Sequence, residues 1–202
     1  SKGVKYIYSN WIDFLGSPKT KPMPISDFED LCMGKGPQFA VHSVSFVPEL
    51  TPADNDQIPV PDLDSLVICP WDKTCAWVFA DLYWNDRPYD VCPRLTLKKQ
   101  IQKSAKSDLK FYVGIEPEFF LMKWEGDKPV KAIDRDPIPL RRQAFGYDSE
   151  YSIDGMHFLK EIFDILNNDL KWDLHDVVAE GAYGQYELDF GYTDILLSLI
   201  HI

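Results

Sequence analysis

The chain has 202 residues, 45% of them hydrophobic, with six tryptophans and a formal net charge of −11. That apolar content suits a folded globule of one or two domains and excludes wholesale disorder. The charge argues against a nucleic-acid partner, whose phosphates would be repelled, and no run approaches the roughly 18–20 apolar residues of a membrane-spanning helix. No charged-then-apolar leader opens the sequence, and neither does a methionine, so a cytoplasmic protein with an incomplete start is expected. Cys32, Cys69, Cys75 and Cys92 lack CxxC spacing and a nearby histidine, which argues against zinc and for free, reduced thiols.

Residues 4–12 are rich in aromatic and β-branched side chains and read as a strand. Gly16, Ser17, Pro18 and Lys19 make a turn, and residues 23–25 begin a second extended piece. Ser26 or Asp27 is placed to cap a short helix through Met33, which Gly34, Gly36 and Pro37 end. Residues 39–47 read as extended, and the proline-rich stretch 48–61 as a surface loop. Strands are then expected at 65–69, 74–83 and 90–91, the last two joined by a hairpin turn through Asn85, Asp86, Arg87 and Pro88. Strands with one short helix suggest a small α+β domain over residues 1–90.

From Pro93 the pattern changes. Residues 95–104 place leucine and isoleucine at helical spacing among lysines, an amphipathic helix. Residues 111–122 read as a strand, and 123–151 as a polar connection around short strands. Met156, Leu159, Ile162, Phe163 and Leu166 share one face of a helix over 153–170. Residues 172–178 and 185–190 read as paired strands around a turn between Gly181 and Gly184.

Four carboxylates carry the chemical signal. In a strand over 111–122, Glu116 and Glu118 project from the same face about 6–7 Å apart, and their apolar neighbours place them near a core. Like charges so placed repel unless something positive joins them, and a hard divalent cation with oxygen ligands is the natural candidate. Farther on, Gln185, Glu187 and Asp189 alternate with Tyr186, Leu188 and Phe190, and Glu180 lies across the turn. If this strand lies beside 111–122, four glutamates converge, enough for two or more Mg²⁺ or Mn²⁺ ions. Such ions neutralise ATP phosphates and steady phosphoryl transfer. For either pair alone, an ordinary antiparallel sheet with one solvated acidic face is the better reading. The two pairs together, each set among glycine and aromatic residues, favour the metal.

These residues resemble the glutamine synthetase family, and within it the type III and γ-glutamylmethylamide synthetase-like branch. Asp13, Gly16 and Lys19 fit an opening D-x-x-G-x-x-K segment. Pro61-Asp62-Leu63, Pro70-Trp71 and Ala76 fit a P-D-L, P-W, A series, and Pro93-Arg94 through Leu97-Lys98 fit P-R-x-x-L-K. Gly114 through Phe120 fit G-x-E-x-E-F-F, and Glu180 through Glu187 fit E-x-x-x-G-Q-x-E. The resemblance implies an N-terminal β-grasp domain over 1–90 and, over 91–196, the first part of a larger α/β catalytic domain. It implies homo-oligomeric rings with active sites between subunits, and ATP-dependent joining of ammonia or a small amine to the γ-carboxylate of glutamate through γ-glutamyl phosphate, the chemistry of glutamine biosynthesis. It implies that Glu118, Glu180 and Glu187 hold one metal and that Glu116 helps hold a second. His42, His157 and His175 lie in no metal-binding motif of that family, so surface roles are expected for them.

The chain also departs from the pattern. A histidine ligand, a last glutamate ligand, the glutamate-binding loop, catalytic arginines and a flap glutamate would all lie beyond residue 202, so an inactive fragment is expected. Where the family continues into an A-D-R segment, this chain reads Leu197 to Ile202, which resembles translated adapter sequence and is expected to be a non-native tail. Two rivals stand beside this reading. One is a non-catalytic half-length protein that assembles with or regulates full-length subunits. The other is a carboxylate–amine ligase of the glutamate–cysteine type, against which the P-D-L, P-W and P-R-x-x-L-K series argues.

Overall fold

A computed structural model describes residues 3–43, 50–132, 146–182 and 184–200. Strands and helices mix throughout, and the chain divides into two compact units, residues 1–110 and 111–202. Among the described residues no helix is long and apolar enough to cross a membrane.

In the first unit, β1 (Tyr6–Ile12) and β2 (Pro18–Pro24) form an antiparallel hairpin. Asp13 ties its turn, accepting from the Leu15 and Ser17 amides at 2.9 and 2.8 Å. A 3-10 turn (Ile25–Asp27) leads into α1 (Phe28–Cys32). The expected side-chain cap is absent: Asp27 stands at the N-cap with φ −96° and ψ 4°, outside the extended conformation that aims a cap at the helix, and its carboxylate accepts from the Ser26 hydroxyl at 2.8 Å instead. The extended stretch expected at 39–47 reduces to one bridge, Phe39 to Gln57, followed by a 3-10 turn over Val41–Ser43. Val41 is fully buried, so its β-branched side chain reports core packing rather than a strand. Residues 44–47, and residues 48 and 49 of the expected loop, lie outside the described residues.

That loop also ends early, because β3 (Ile58–Ile68) already includes Pro59 and Pro61. β3 is an edge strand, and prolines two apart leave their missing N–H groups along the same margin. The strand bulges between Asp62 and Val67, where the Ser65 hydroxyl donates to the Asp62 carbonyl and accepts from the Phe79 amide (2.6 and 2.9 Å). β4 (Cys75–Trp84) buries Ala76, Val78, Ala80 and Leu82, every second residue. The hairpin beyond it is tighter than expected. Asn85 and Asp86 alone make the turn, at φ 50° and 59°, so the strand is β5 (Arg87–Pro88) and residues 90–91 turn instead toward α2 (Pro93–Ala105). The sheet order is β2-β1-β4-β3, with β1 parallel to β4 and its other pairings antiparallel. Two clusters form the core: Ile7, Met23, Leu31, Ala76 and Val78, and then Trp11, Leu82, Cys92 and Leu95, with Phe39 stacked on Trp11 at 4.2 Å. All four cysteines are free thiols; Cys32 is exposed and the others are buried.

The second unit begins with β6 (Tyr112–Val113) and β7 (Glu118–Phe120), so the strand expected over 111–122 is broken. The two halves take different partners: β6 pairs with β12 (Thr193–Asp194), and β7 with β11 (Gln185–Phe190). Next come the hairpin β8 (Met122–Glu125) and β9 (Lys128–Lys131), turning at Gly126 with φ 60°. Within the expected connection, residues 133–145 lie outside the described residues, and its last three residues already belong to the next helix. α3 (Ser149–Phe163) is capped by Asp148, which accepts from the Glu150 amide, and runs on as a π-helical turn (Asp164–Asp169). Its buried stripe is Tyr151, Gly155 and Leu159, whereas Met156, expected inside, is exposed. The gap left by Gly155 admits Tyr186, and this fixes which face turns inward. β10 (Leu174–Ala179) pairs antiparallel with β11, giving the order β10-β11-β7. α4 (Ile195–Ile200) follows β12, and its Ser198 donates to the Val113 carbonyl at 3.2 Å; residues 201 and 202 lie outside the described residues.

Candidate metal centre

The three-stranded sheet has two unlike faces, as the alternation in β11 demands. On one face Tyr186 is fully buried against α3, donating to the Tyr151 carbonyl at 2.9 Å and packing with Leu159, Ala179 and Phe119. This contact fixes the rotation of β11 and turns Gln185, Glu187 and Asp189 to the other face.

Glu187 is the register partner of Glu118 on β7, so one member of the first glutamate pair meets the second pair across a strand boundary. The Gln185 amide donates to a Glu118 carboxylate oxygen at 2.5 Å. Glu180 follows β10 with its amide bonded to the Gln185 carbonyl at 2.9 Å, and its side chain shares a hydrogen bond with Glu187. Glu118, Glu180 and Glu187 thus gather around Gln185.

Glu116 stands elsewhere. It lies in the link between β6 and β7, outside any strand, so the expected alternation with Glu118 does not apply to it. Its charge acts on Asp189, which shares a hydrogen bond with its register partner Asp176. Both Glu116 and Glu118 are exposed, contrary to the expectation that they lie near a core: Phe119 packs on the opposite face of the sheet, and Phe120, on the face of Glu118, is itself exposed. Sequence reasoning did not assign Asp176 or Asp189. Asp189 was within reach, two residues beyond Glu187 in strict alternation. Asp176 was not, because a bulge beside Leu174 sets its register.

Crowding of like charges marks this face. The shared hydrogen bond with Glu180, then burial and the charges of Asp189, Glu180 and Glu118, push Glu187 up to about 7. Burial, then the hydrogen bond with Asp176 and nearby charges, push Asp189 up to about 6. Among the described residues no three His, Cys, Asp or Glu side chains are already drawn around one point as a cation would hold them. The donor set nonetheless fits a hard divalent ion, since it offers only oxygens and holds protons where positive charge is wanting. The histidines lie apart: His42 and His157 are exposed, and His175 contacts Asp173 at 3.1 Å.

Comparison with known proteins agrees with the motifs. The family described as glutamine synthetase, catalytic domain, matches residues 90–199. A glutamine synthetase of Rhizobium meliloti (strain 1021) is 33% identical over 195 residues, covering 96% of this chain and 42% of that protein. A glutamate–methylamine ligase of Methyloversatilis universalis is 30% identical over 201 residues, covering 98% and 43%. Among solved structures, a GmaS–ADP complex superposes with a TM-score of 0.86 at 28% identity, over 99% of this chain and 44% of that one. The chain therefore spans less than half the length of these relatives.

Proposed function

We propose, from the premise that this chain belongs to the glutamine synthetase family, that it is the N-terminal part of an ATP-dependent glutamate–amine ligase. The intact enzyme would transfer the γ-phosphoryl group of ATP to the γ-carboxylate of glutamate. Ammonia or a small amine would then displace phosphate from γ-glutamyl phosphate. The observation that carries this reading is the register of β7 on β11, which sets Glu118 beside Glu187 with Glu180 bonded to it. In this reading Glu118, Glu180 and Glu187 hold one Mg²⁺ or Mn²⁺, and Glu116, with Asp189 near it, helps hold a second. When bound, the ions would offset the charge of the ATP phosphates. The chain's own residues orient and titrate: Gln185 fixes the Glu118 carboxylate, Tyr186 fixes the strand, and Glu187 gives up its proton as positive charge arrives.

The division into a β-grasp domain over 1–90 and catalytic sequence over 91–196 belongs to the same proposal. It is supported by the order β2-β1-β4-β3 around a parallel central pair and by a family match that begins at residue 90. A cytoplasmic, ring-forming enzyme is proposed on the family alone, and use of a nucleotide is supported by the solved relative that carries ADP. The 202 residues by themselves are expected to show no turnover, because they span less than half the length of the relatives they match.

Titration of the chain with Mn²⁺, followed by electron paramagnetic resonance, tests the site. Saturable binding is expected, with a Kd of about 10⁻⁴–10⁻³ M for so open a set of ligands. Glu187→Gln should weaken it by about tenfold or more. Equal binding by both proteins would remove Glu187 from the site. In the longer protein, ADP release that needs neither glutamate nor an amine would overturn the ligase.

A further inference from the structure

The Pro70-Trp71 pair, which the proposed chemistry leaves unused, stands at a recess of about 250 Å³ in the first unit. Its floor is built by Tyr8 and Trp77, register partners on parallel β1 and β4, and Asn10 extends it along β1. The turn between β3 and β4 folds beside this floor and brings the Trp71 ring within 5.2 Å of the Trp77 ring at 60°. The same turn supplies Asp72. Its carboxylate accepts from the Thr74 amide and hydroxyl at 2.9 and 2.7 Å and from the Cys75 thiol at 3.3 Å. The bonds from Thr74 come first among the causes that hold the Asp72 carboxyl below its usual range, so it is an anion at neutral pH. Among the described residues none that lines the recess is basic, and Lys73, beside Asp72 in the turn, acts on the recess through its charge at Cys69.

We propose that this recess binds a small organic ammonium ion. Three aromatic rings line the recess and Asp72 adds a full negative charge, the combination that attracts a weakly hydrated cation. The alternatives fit less well. Asp72 already accepts from Thr74 and the Cys75 thiol, and among the described residues no three His, Cys, Asp or Glu side chains are placed there to hold a metal ion. A flat base needs a slot, but rings 5.2 Å apart and crossed at 60° leave a corner with no room for a third ring between them. The volume also decides. Pockets for drug-sized ligands run from about 300 to 1,000 Å³, so one of about 250 Å³ takes a ligand of few heavy atoms, as a methylated ammonium is. Trp71 is 65% exposed, so a cation would reach its ring without any backbone opening.

The test compares choline with its uncharged isostere, 3,3-dimethyl-1-butanol, on the 202-residue chain, reading the tryptophan indole N–H resonances by NMR. The Trp71 signal is assigned by its loss in Trp71→Leu. Choline should shift the Trp71 signal saturably, and the isostere should bind about tenfold more weakly or worse. Asp72→Asn should lower choline affinity about three- to tenfold while leaving the fold in place, and it serves as an independent variant should Trp71→Leu alter thermal unfolding. Equal affinity for the two ligands would reduce the recess to an apolar crevice and overturn the proposal. No saturable shift with either would overturn it too. The assay contains no divalent ion and reads only the first unit, so its failure leaves the carboxylate reading standing, and the reverse holds as well.

Discussion

Gly155→Ala should destabilise the second unit, although alanine is the better helix former. A Cβ at this position would lie 2.6 Å from the Tyr186 hydroxyl oxygen, 2.7 Å from Cζ and 2.8 Å from Cε1. Ring and methyl carbons need considerably more than that, so the ring must shift. It has nowhere to go: Tyr186 is 0% exposed, packs against Phe119 with ring centroids 6.0 Å apart, and spends its hydroxyl proton on the Tyr151 carbonyl. Overpacking of this kind costs about 1–3 kcal/mol, loss of the hydroxyl bond adds about 1, and helix propensity returns about 1. The net loss is about 1–3 kcal/mol, a fall in melting temperature of about 4–8 °C for each kcal/mol in a unit of this size. Thermal and urea unfolding would read it. In a Tyr186→Leu background the same Gly155→Ala change should become neutral or stabilising, because the clash is gone. A stabilised Gly155→Ala in the wild-type background would refute the packing of α3 on β11, and with it the reason why Glu187 faces away from the core.

Four further outcomes are expected. Arg94 and Lys98 on α2 grip Asp62 and Asp81; burial alone would raise the Asp62 carboxyl, but hydrogen bonds from Lys98 and Arg94 outweigh it and hold the carboxyl low. Because the folded value is depressed, this stability is present above the unfolded carboxylate value of about 3.9 and is lost as pH falls through the folded one, so Asp62→Asn should cost about 1–2 kcal/mol at pH 7 and flatten the acid limb of the stability profile. Glu187 has the opposite sign: with the folded value raised to about 7, its stability is fully present below about pH 4.3 and lost as pH rises through 7. Without metal, the melting temperature should fall across that window less steeply in Glu187→Gln than in wild type. Metal binding followed by calorimetry in buffers of different ionisation enthalpy should release about one proton at pH 6.5 and about 0.1 at pH 8, the summed occupancy of groups near 7 and 6; no release at pH 6.5 would contradict the crowding. Asp86→Gly should stabilise the first unit by about 0.5–1 kcal/mol in urea unfolding, since Asp86 sits at φ 59° where glycine carries no steric penalty.

Features set by local periodicity were legible in the sequence. β4 and β11 alternate residue by residue, and the structure buries every second side chain of β4 and, on one face of β11, Tyr186 and Phe190, as that pattern requires. Pro93 stands at the first turn of α2, where its missing N–H is harmless. The meeting of Glu118 with Glu187 was legible only as a condition, that the two strands lie side by side, because nothing within either segment names its partner.

What local pattern could not supply was the choice between partners. Residues 111–122 read as one strand because the aromatic and β-branched residues at both ends suit one, yet Val113 pairs toward Thr193 and Glu118 toward Glu187, and Gly114 to Pro117, whose glycine and proline that reading passed over, bridge the change. That single break moves Glu116 away from Glu118 and toward Asp189, making two groups of carboxylates from what read as one. The expected face of α3 holds at Leu159 and Ile162 but misses at Met156, which is exposed, for a related reason. Periodicity counts apolar side chains, but the position that decides the packing is Gly155, which contributes no side chain and is defined by the tyrosine that fills its place. Asp176 was hidden by a bulge, and β3 by prolines that only an edge tolerates. In each case the deciding contact joins residues far apart in the chain. The candidate site is itself such a contact, since β7 and β11 bring together residues 67 apart in sequence, at Glu118 and Gln185.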